Sequence, residues 1–270
     1  MTKKNIRPIP RFATPIIETH CHLDYLVESE FDNDVDAAVS AGVERFITIA
    51  VSQENLSVVR GLAERSPRVW CTQGIHPHEA GSWCAALLDE IRRGASHHKV
   101  VAIGEIGLDY YYDHADRVAQ REAFENQLAL AAELGLPVVI HTRDADDDTR
   151  SILKNALPVL TKRGVIHSFT SSPALAQFCL DEGFSLGFNG ICTFKNAENV
   201  RDVIRMTPLD RILLETDTPY LTPEPYRGRV NHPKFLPFIA EKVAELKNIK
   251  VEDLLTTIKA NSEALFFKTL

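Results

Sequence analysis

The chain has 270 residues, 44% of them hydrophobic and 25% charged, with 13 Gly, 14 Pro and 5 Cys. That apolar fraction fills a sizeable core and excludes a disordered chain, and no apolar run approaches the roughly 20 residues that span a bilayer. The net charge of -7 excludes holding nucleic acid by bulk electrostatics alone, but not through a local basic patch or bound metal ions.

The opening stretch MTKKNIRPIPRF carries basic residues and two prolines but no apolar segment, so it does not read as a signal peptide. The cysteines are scattered, odd in number and free of any CxxC, which fits packing residues in a reducing, cytoplasmic setting. No Gly- or Ser-rich linker interrupts the chain, so residues 1–270 are expected to form one domain.

Eight short apolar or β-branched runs follow in order: 16–20, 45–51, 69–76, 100–108, 137–142, 164–169, 184–191 and 211–216. Such runs are what parallel strands buried on both faces require. Stretches of helical period separate them. Ser52 is an expected N-cap, with Leu56, Val59 and Ala63 as the stripe of the helix after it. Phe124, Leu128, Ala131 and Leu134 line one face of a later helix, stopped by Gly135 and Pro137. The acidic run Asp144–Asp148 falls where the next helix should begin, and carboxylates there suit the helix dipole.

Eight such units in this length match a closed α/β (β/α)8 TIM-type barrel. An open doubly wound sheet has the same periodicity, but it usually begins with a glycine-rich phosphate turn, and the first run here ends in ETHCH. A closed barrel also gathers functional groups at the C-terminal ends of its strands. Those ends carry His20 and His22, His76 and His78, Glu105 and Asp109, His141 and Arg143, His167, and Glu215 and Asp217.

Residues two apart on a strand share a face, so His20 and His22 can reach one cation while Cys21 points into the strand–helix layer as a packing residue. With His141, His167, Glu105 and Asp217 they make a set of imidazoles and carboxylates suited to divalent ions. Six ligands are more than one catalytic ion takes, and two ions use them more naturally, as in phosphoester or amide hydrolysis. The remaining residues read two ways. His78 is a solvated or capping residue or a substrate contact. Asp109 caps a helix or joins the site. Glu215 holds a ligand histidine or an arginine. Tyr110–Tyr112 is loop packing or a base-stacking platform. His97, His98 and His114 are left as surface residues.

The blocks THCHLD (19–24), GIHPH (74–78), GEIGLDYYY (104–112), IHTRDA (140–145), HSFT (167–170) and ETDTPYLTP (215–223) resemble the signature blocks of the TatD family. Its members are metal-dependent hydrolases of the amidohydrolase-like barrel superfamily, assigned as deoxyribonucleases. The resemblance implies a barrel with two divalent ions of Zn, Mn or Mg type and no organic cofactor. His20, His22, Glu105 and Asp217 would hold one ion; Glu105, His141 and His167 would hold the other, with Glu105 bridging. His76 is then expected near the substrate phosphate, and Arg143, Arg227, Arg229 and Asn231 as phosphate contacts.

Three positions depart from the family pattern: Glu18 where aspartate is usual, His232 where a glutamate is frequent, and Ser171–Ser172 in place of glycine. The expected reaction is hydrolysis of phosphodiester bonds in DNA from the 3′ end, with Asp217 taking the proton of the attacking water. Few phosphate contacts predict a shallow salt dependence. A metal-dependent ester or amide hydrolase, such as an aminoacyl-tRNA deacylase or a small-molecule amidohydrolase, would use the same ligands. A non-catalytic binding barrel is the reading from another class, and intact ligands at all six positions weigh against it.

Overall fold

The computed structural model of the chain describes residues 7–26 and 30–267. Residues 1–6, which open the stretch read above for a leader, lie outside them. Strands β1 (Ile16–Cys21), β2 (Val43–Thr48), β3 (Val69–Gln73), β4 (Val100–Asp109), β5 (Val138–Arg143), β6 (Gly164–Ile166), β7 (Ser185–Phe188) and β8 (Ile212–Leu214) form one sheet in sequence order. Every neighbouring pair in that order is parallel. The first and last strands also meet. The Thr19 hydroxyl donates to the Leu214 carbonyl (2.9 Å), and just beyond it Asp217 N–H donates to His20 C=O (2.9 Å) and His22 N–H to Thr218 C=O (2.8 Å). The sheet therefore curls into the expected (β/α)8 barrel.

Helices α1 (Phe31–Ser40), α2 (Leu56–Arg65), α3 (Ala85–Ala95), α4 (Arg117–Leu134), α5 (Asp146–Ala156), α6 (Pro173–Asp181) and α7 (Glu198–Met206) alternate with the strands, and α8 (Leu236–Lys247) and α9 (Val251–Phe266) follow β8. Among the described residues no helix is long and apolar enough to cross a membrane. The stripe of α4 is buried as expected at Phe124, Leu128 and Ala131, and Gly135 ends the helix at φ +63°. Asp146, Asp147 and Asp148 occupy the first turn of α5.

One expectation about a cap is corrected. Ser52 does not cap α2; the helix begins after Asn55, whose Oδ1 accepts the N–H groups of Val51 and Ser52 (both 3.0 Å). A side chain folding back over the turn has taken the place that a capping serine would fill. β3 and the last three strands are also shorter than the apolar runs predict, since those runs continue into the loops that follow: β3 ends at Gln73, β6 at Ile166, β7 at Phe188 and β8 at Leu214.

The core has two layers. The larger lies between strands and helices and includes Cys21, Phe46, Phe124, Phe188 and Ile239. A second cluster joins Ile17, Ile47, Val101, Val139, Val165 and Leu213 to Phe266 and Phe267. Residues from six strands around the ring can meet only inside it, so this cluster fills the barrel beneath the strand ends. The end of α9 supplies its aromatic plug.

Candidate metal centre

The mouth of the barrel is built on strand alternation. His20 and His22 are both buried, and Cys21 between them joins the outer core. His20 Nε2 lies 3.4 Å from Glu105 Oε2 and 3.7 Å from Asp217 Oδ1, and His22 Nε2 lies 3.4 Å from the same Asp217 oxygen. The other oxygen of Glu105 faces a second group. His167 Nε2 is 2.9 Å, His141 Nδ1 3.1 Å and His76 Nε2 3.4 Å from Oε1. Glu105 thus turns its two oxygens to opposite sets of imidazoles. Two residues along β4, Gly107 (φ +137°) lets β4 pass close to β5, where a Cβ would lie 1.9 Å from the His141 carbonyl.

The expected ligands His20, His22, Glu105, His141, His167 and Asp217 are therefore brought together, with His76 as a seventh group. Both nitrogens of His20 and Nδ1 of His22 are buried without a hydrogen-bond partner, and His167 Nδ1 has only the Glu215 carboxylate, 3.4 Å away. Buried polar atoms rarely remain unpaired. Three overlapping groups of ligand atoms, each within 4.8 Å, form here: His20, His22 and Asp217; His20, Glu105 and His167; His76, Glu105 and His141. Imidazole nitrogens and carboxylate oxygens so placed are a donor set for divalent ions.

Burial pushes the Glu105 carboxyl up, but the charges of His167 and His76 and hydrogen bonds from His141 and His167 outweigh it and hold the group well below the usual carboxylate range. Asp217 follows the same balance against His22 and is also lowered. Burial, reinforced by His167, lowers His20, and burial takes His76 far below its ordinary value. His167 is raised well above its own because Glu105 outweighs its burial. Asp217 stands at φ +57°, a conformation costly for a non-glycine residue and typical of functional turns.

Asp109 is not a helix cap. Asp116 caps α4 by accepting from Val118 N–H (2.8 Å). Asp109 Oδ2 instead lies 3.0 Å from both His141 Nε2 and His78 Nε2, while Oδ1 accepts the N–H groups of Tyr111 (3.0 Å) and Tyr112 (2.9 Å). The buried Gln120 of α4 fixes its backbone, accepting Asp109 N–H at 2.8 Å. Asp109 orients His141 from behind, as carboxylates beside metal-bound histidines do. The signal for it is in the strand: positions 105, 107 and 109 share one face of β4.

Glu215 takes the same place behind His167, with Oε1 3.4 Å from Nδ1, and accepts Ser168 N–H at 2.6 Å. Glu18 stays outside the ligand cluster, as its position implies. Its Oε1 accepts N–H from His20 (3.2 Å) and Thr216 (2.9 Å), and burial pushes the carboxyl up to about 8.

The cluster opens into a cleft of about 680 Å³ lined by residues including His22, Tyr25, His76, His78, Glu105, Tyr112, His141, Arg143, His167, Asp217 and Tyr220. The basic residues divide. Arg143 lines this cleft with its guanidinium over Tyr111 and Tyr112. Arg227 lines an adjoining cavity, 3.6 Å from the Phe194 ring centroid. Arg229 is not among the cleft residues and lies over Tyr226 instead.

Asn231 is a correction: it is buried, and its Nδ2 donates to the carbonyls of Thr216 and Tyr220 while Oδ1 accepts His232 N–H. Its polar atoms pin the loop after β8, so none is left for a phosphate. His232 faces Asp34 of α1 (3.2 Å), outside the cleft. Ser172 caps α6 and its backbone N–H donates to Asp146.

Residues 17–267 match the family described as TatD related DNase. An uncharacterised metal-dependent hydrolase of Bacillus subtilis (strain 168) is 36% identical over 93% of this chain and 98% of its own. A protein of Erwinia amylovora named 3′-5′ ssDNA/RNA exonuclease TatD is 39% identical over 89% of this chain and 96% of its own. Among solved structures, the TatD homologue YjjV of Escherichia coli K12 superposes with a TM-score of 0.88 at 31% identity, covering 93% of this chain and 97% of that one.

Proposed function

The chain belongs to the TatD related DNase family of metal-dependent hydrolases, and from that premise we propose that it hydrolyses phosphodiester bonds in DNA as a 3′-to-5′ exonuclease using two divalent ions. The observation that carries this reading is the division of Glu105, with one oxygen towards His20 and the other towards His141 and His167. In the proposal His20, His22, Glu105 and Asp217 hold one ion, and Glu105, His141 and His167 hold the other. Ions held there would supply Lewis acidity towards water and the phosphoryl oxygens.

The protein's own groups do the rest. Asp217 is held ionised beside the cleft and is placed to accept the proton of the attacking water. Asp109 and Glu215 keep the His141 and His167 rings in orientation. Arg143 meets the phosphate in the cleft, and Arg227 meets the strand in the adjoining cavity. His76, beside Glu105, contacts the phosphate in this scheme. The Erwinia relative's name, 3′-5′ ssDNA/RNA exonuclease, supports a nucleic-acid substrate.

The test is a metal-exchange assay on end-labelled single-stranded and duplex DNA. The expected result is metal-dependent, stepwise shortening from the 3′ end with release of nucleotides. Turnover of an amide or aminoacyl ester with no nucleotide released from DNA would overturn the proposal.

A further inference from the structure

Four of the six tyrosines stand at or beside the cleft mouth with about half their surface exposed: Tyr25 (47%), Tyr111 (57%), Tyr112 (51%) and Tyr220 (53%). The other two are held by hydroxyl hydrogen bonds, whereas Tyr25 and Tyr112 have ring contacts, stacked on His22 and His114. Tyr110 donates its hydroxyl to Asp148 (2.6 Å), and Tyr226 donates to the Arg7 carbonyl and stacks on Phe235. Large rings left at the surface forgo the gain of burial, and a group of them marks a contact surface.

They form two faces. After β1 and β8, Tyr25 and Tyr220 stand with ring centroids 6.4 Å apart at 77°, and Tyr25 stacks on His22 at 5.3 Å. After β4, Tyr111 and Tyr112 carry the Arg143 guanidinium 3.9 and 4.8 Å from their ring centroids. Strands β1 and β5, like β8 and β4, are four places apart in the ring of eight and so lie across the barrel from each other. The two faces therefore flank the ligand cluster, and Tyr25, Tyr220, Tyr112 and Arg143 line the same cleft as Glu105 and Asp217.

Flat rings and a flat guanidinium on either side of a phosphodiester site match flat bases on either side of the phosphate. Stacking of this kind accepts any base, because every base has a π-face. In a duplex both faces of an internal base are covered by its neighbours, so bases stacked on both sides of the scissile bond must be unpaired. We propose that Tyr25–Tyr220 and Tyr112–Arg143 each stack one unpaired base, on the two sides of the scissile bond. Such surfaces take a base without sequence preference. This rests on the nuclease reading of the site.

The test compares, within each enzyme, kcat/KM on a single-stranded oligonucleotide with kcat/KM on the same strand lacking one base beside the scissile bond. The manganese-loaded wild-type protein is expected to lose about 5- to 150-fold when that base is removed. In Tyr112→Ala and Tyr220→Ala the loss at the corresponding side falls to less than about 3-fold, and Tyr112→Phe and Tyr220→Phe retain the wild-type ratio. Because the ratio is internal to each preparation, partial misfolding does not imitate it. Equal ratios in wild type and alanine variants, with DNA still degraded, overturn the stacking proposal and leave the nuclease reading standing. No release of nucleotides by the loaded wild-type protein overturns the nuclease reading itself.

Discussion

The floor of the cleft and its mouth are built differently. On the floor, His20, His22, Glu105 and His167 are buried, hang from strands or the turns that end them, and leave several nitrogens without partners. At the mouth, Arg143 lies over Tyr111 and Tyr112, and in the adjoining cavity Arg227 lies over Phe194. The floor is preorganised by barrel register, whereas the mouth is a set of adaptable polar and aromatic surfaces. On the proposed reading, chemistry depends on a few irreplaceable atoms, and affinity is shared among several contacts.

The sharpest way to break that contrast is Glu105→Ala. Activity and bound metal should vanish together, a loss of about 10³-fold or more, since metal ions supply several kcal/mol of transition-state stabilisation. An active variant by nucleotide release, or one with unchanged metal content by elemental analysis, would contradict the bridging role.

Glu18 tests the cost of burying a carboxylate beneath the floor. Its folded-state pKa is raised from the ordinary 4.5 to about 8 by burial. The folded state therefore binds more protons than the unfolded state across that window, and the stability of the metal-free protein should fall as pH rises through it. Glu18→Gln should flatten this slope in denaturant titrations and stabilise the metal-free protein above that window by up to roughly 5 kcal/mol. An unchanged slope would mean that Glu18 ionises freely in the fold.

Asp109→Asn keeps the shape but removes the charge behind His141, and metal affinity or activity should drop about 10- to 100-fold. A variant with wild-type metal affinity and rate would reduce Asp109 to a loop-shaping role through Tyr111 and Tyr112. The smallest effects belong to the mouth. Arg143→Ala should raise KM for DNA about 10-fold with kcat little changed, as expected for one charged hydrogen bond. Arg229→Ala should change KM less than about 2-fold, because surface positions away from a site contribute little. Equal effects of the two would dissolve the distinction between arginines inside and outside the cleft.

The legibility of the sequence follows the same division. Eight apolar runs disclose the barrel because buried parallel strands leave little freedom in composition. His20 and His22 are legible from period two, and the other proposed ligands from their places at strand ends. Their proposed division between two ions comes from the family resemblance, with geometry adding the two-sided Glu105. Asp109 could have been read with Glu105 from the alternation of β4.

Asn231 could not be read from the chain alone. An asparagine in a polar, basic loop looks the same in sequence whether it faces phosphate or its own backbone, and here the backbone of Thr216 and Tyr220 claims it. Ser52 failed for a related reason, since Asn55 satisfies the turn that Ser52 would have capped. Local hydrogen-bond competition in loops leaves no periodic trace, and Arg229 is separated from the cleft by where a loop happens to run.

The central claim is that Glu105 divides two ions between two sets of ligands. Anomalous diffraction from crystals grown with manganese tests it directly. Two peaks should flank the Glu105 carboxylate, one against His20, His22 and Asp217 and the other against His141 and His167. A single peak, or peaks away from Glu105, would contradict the account.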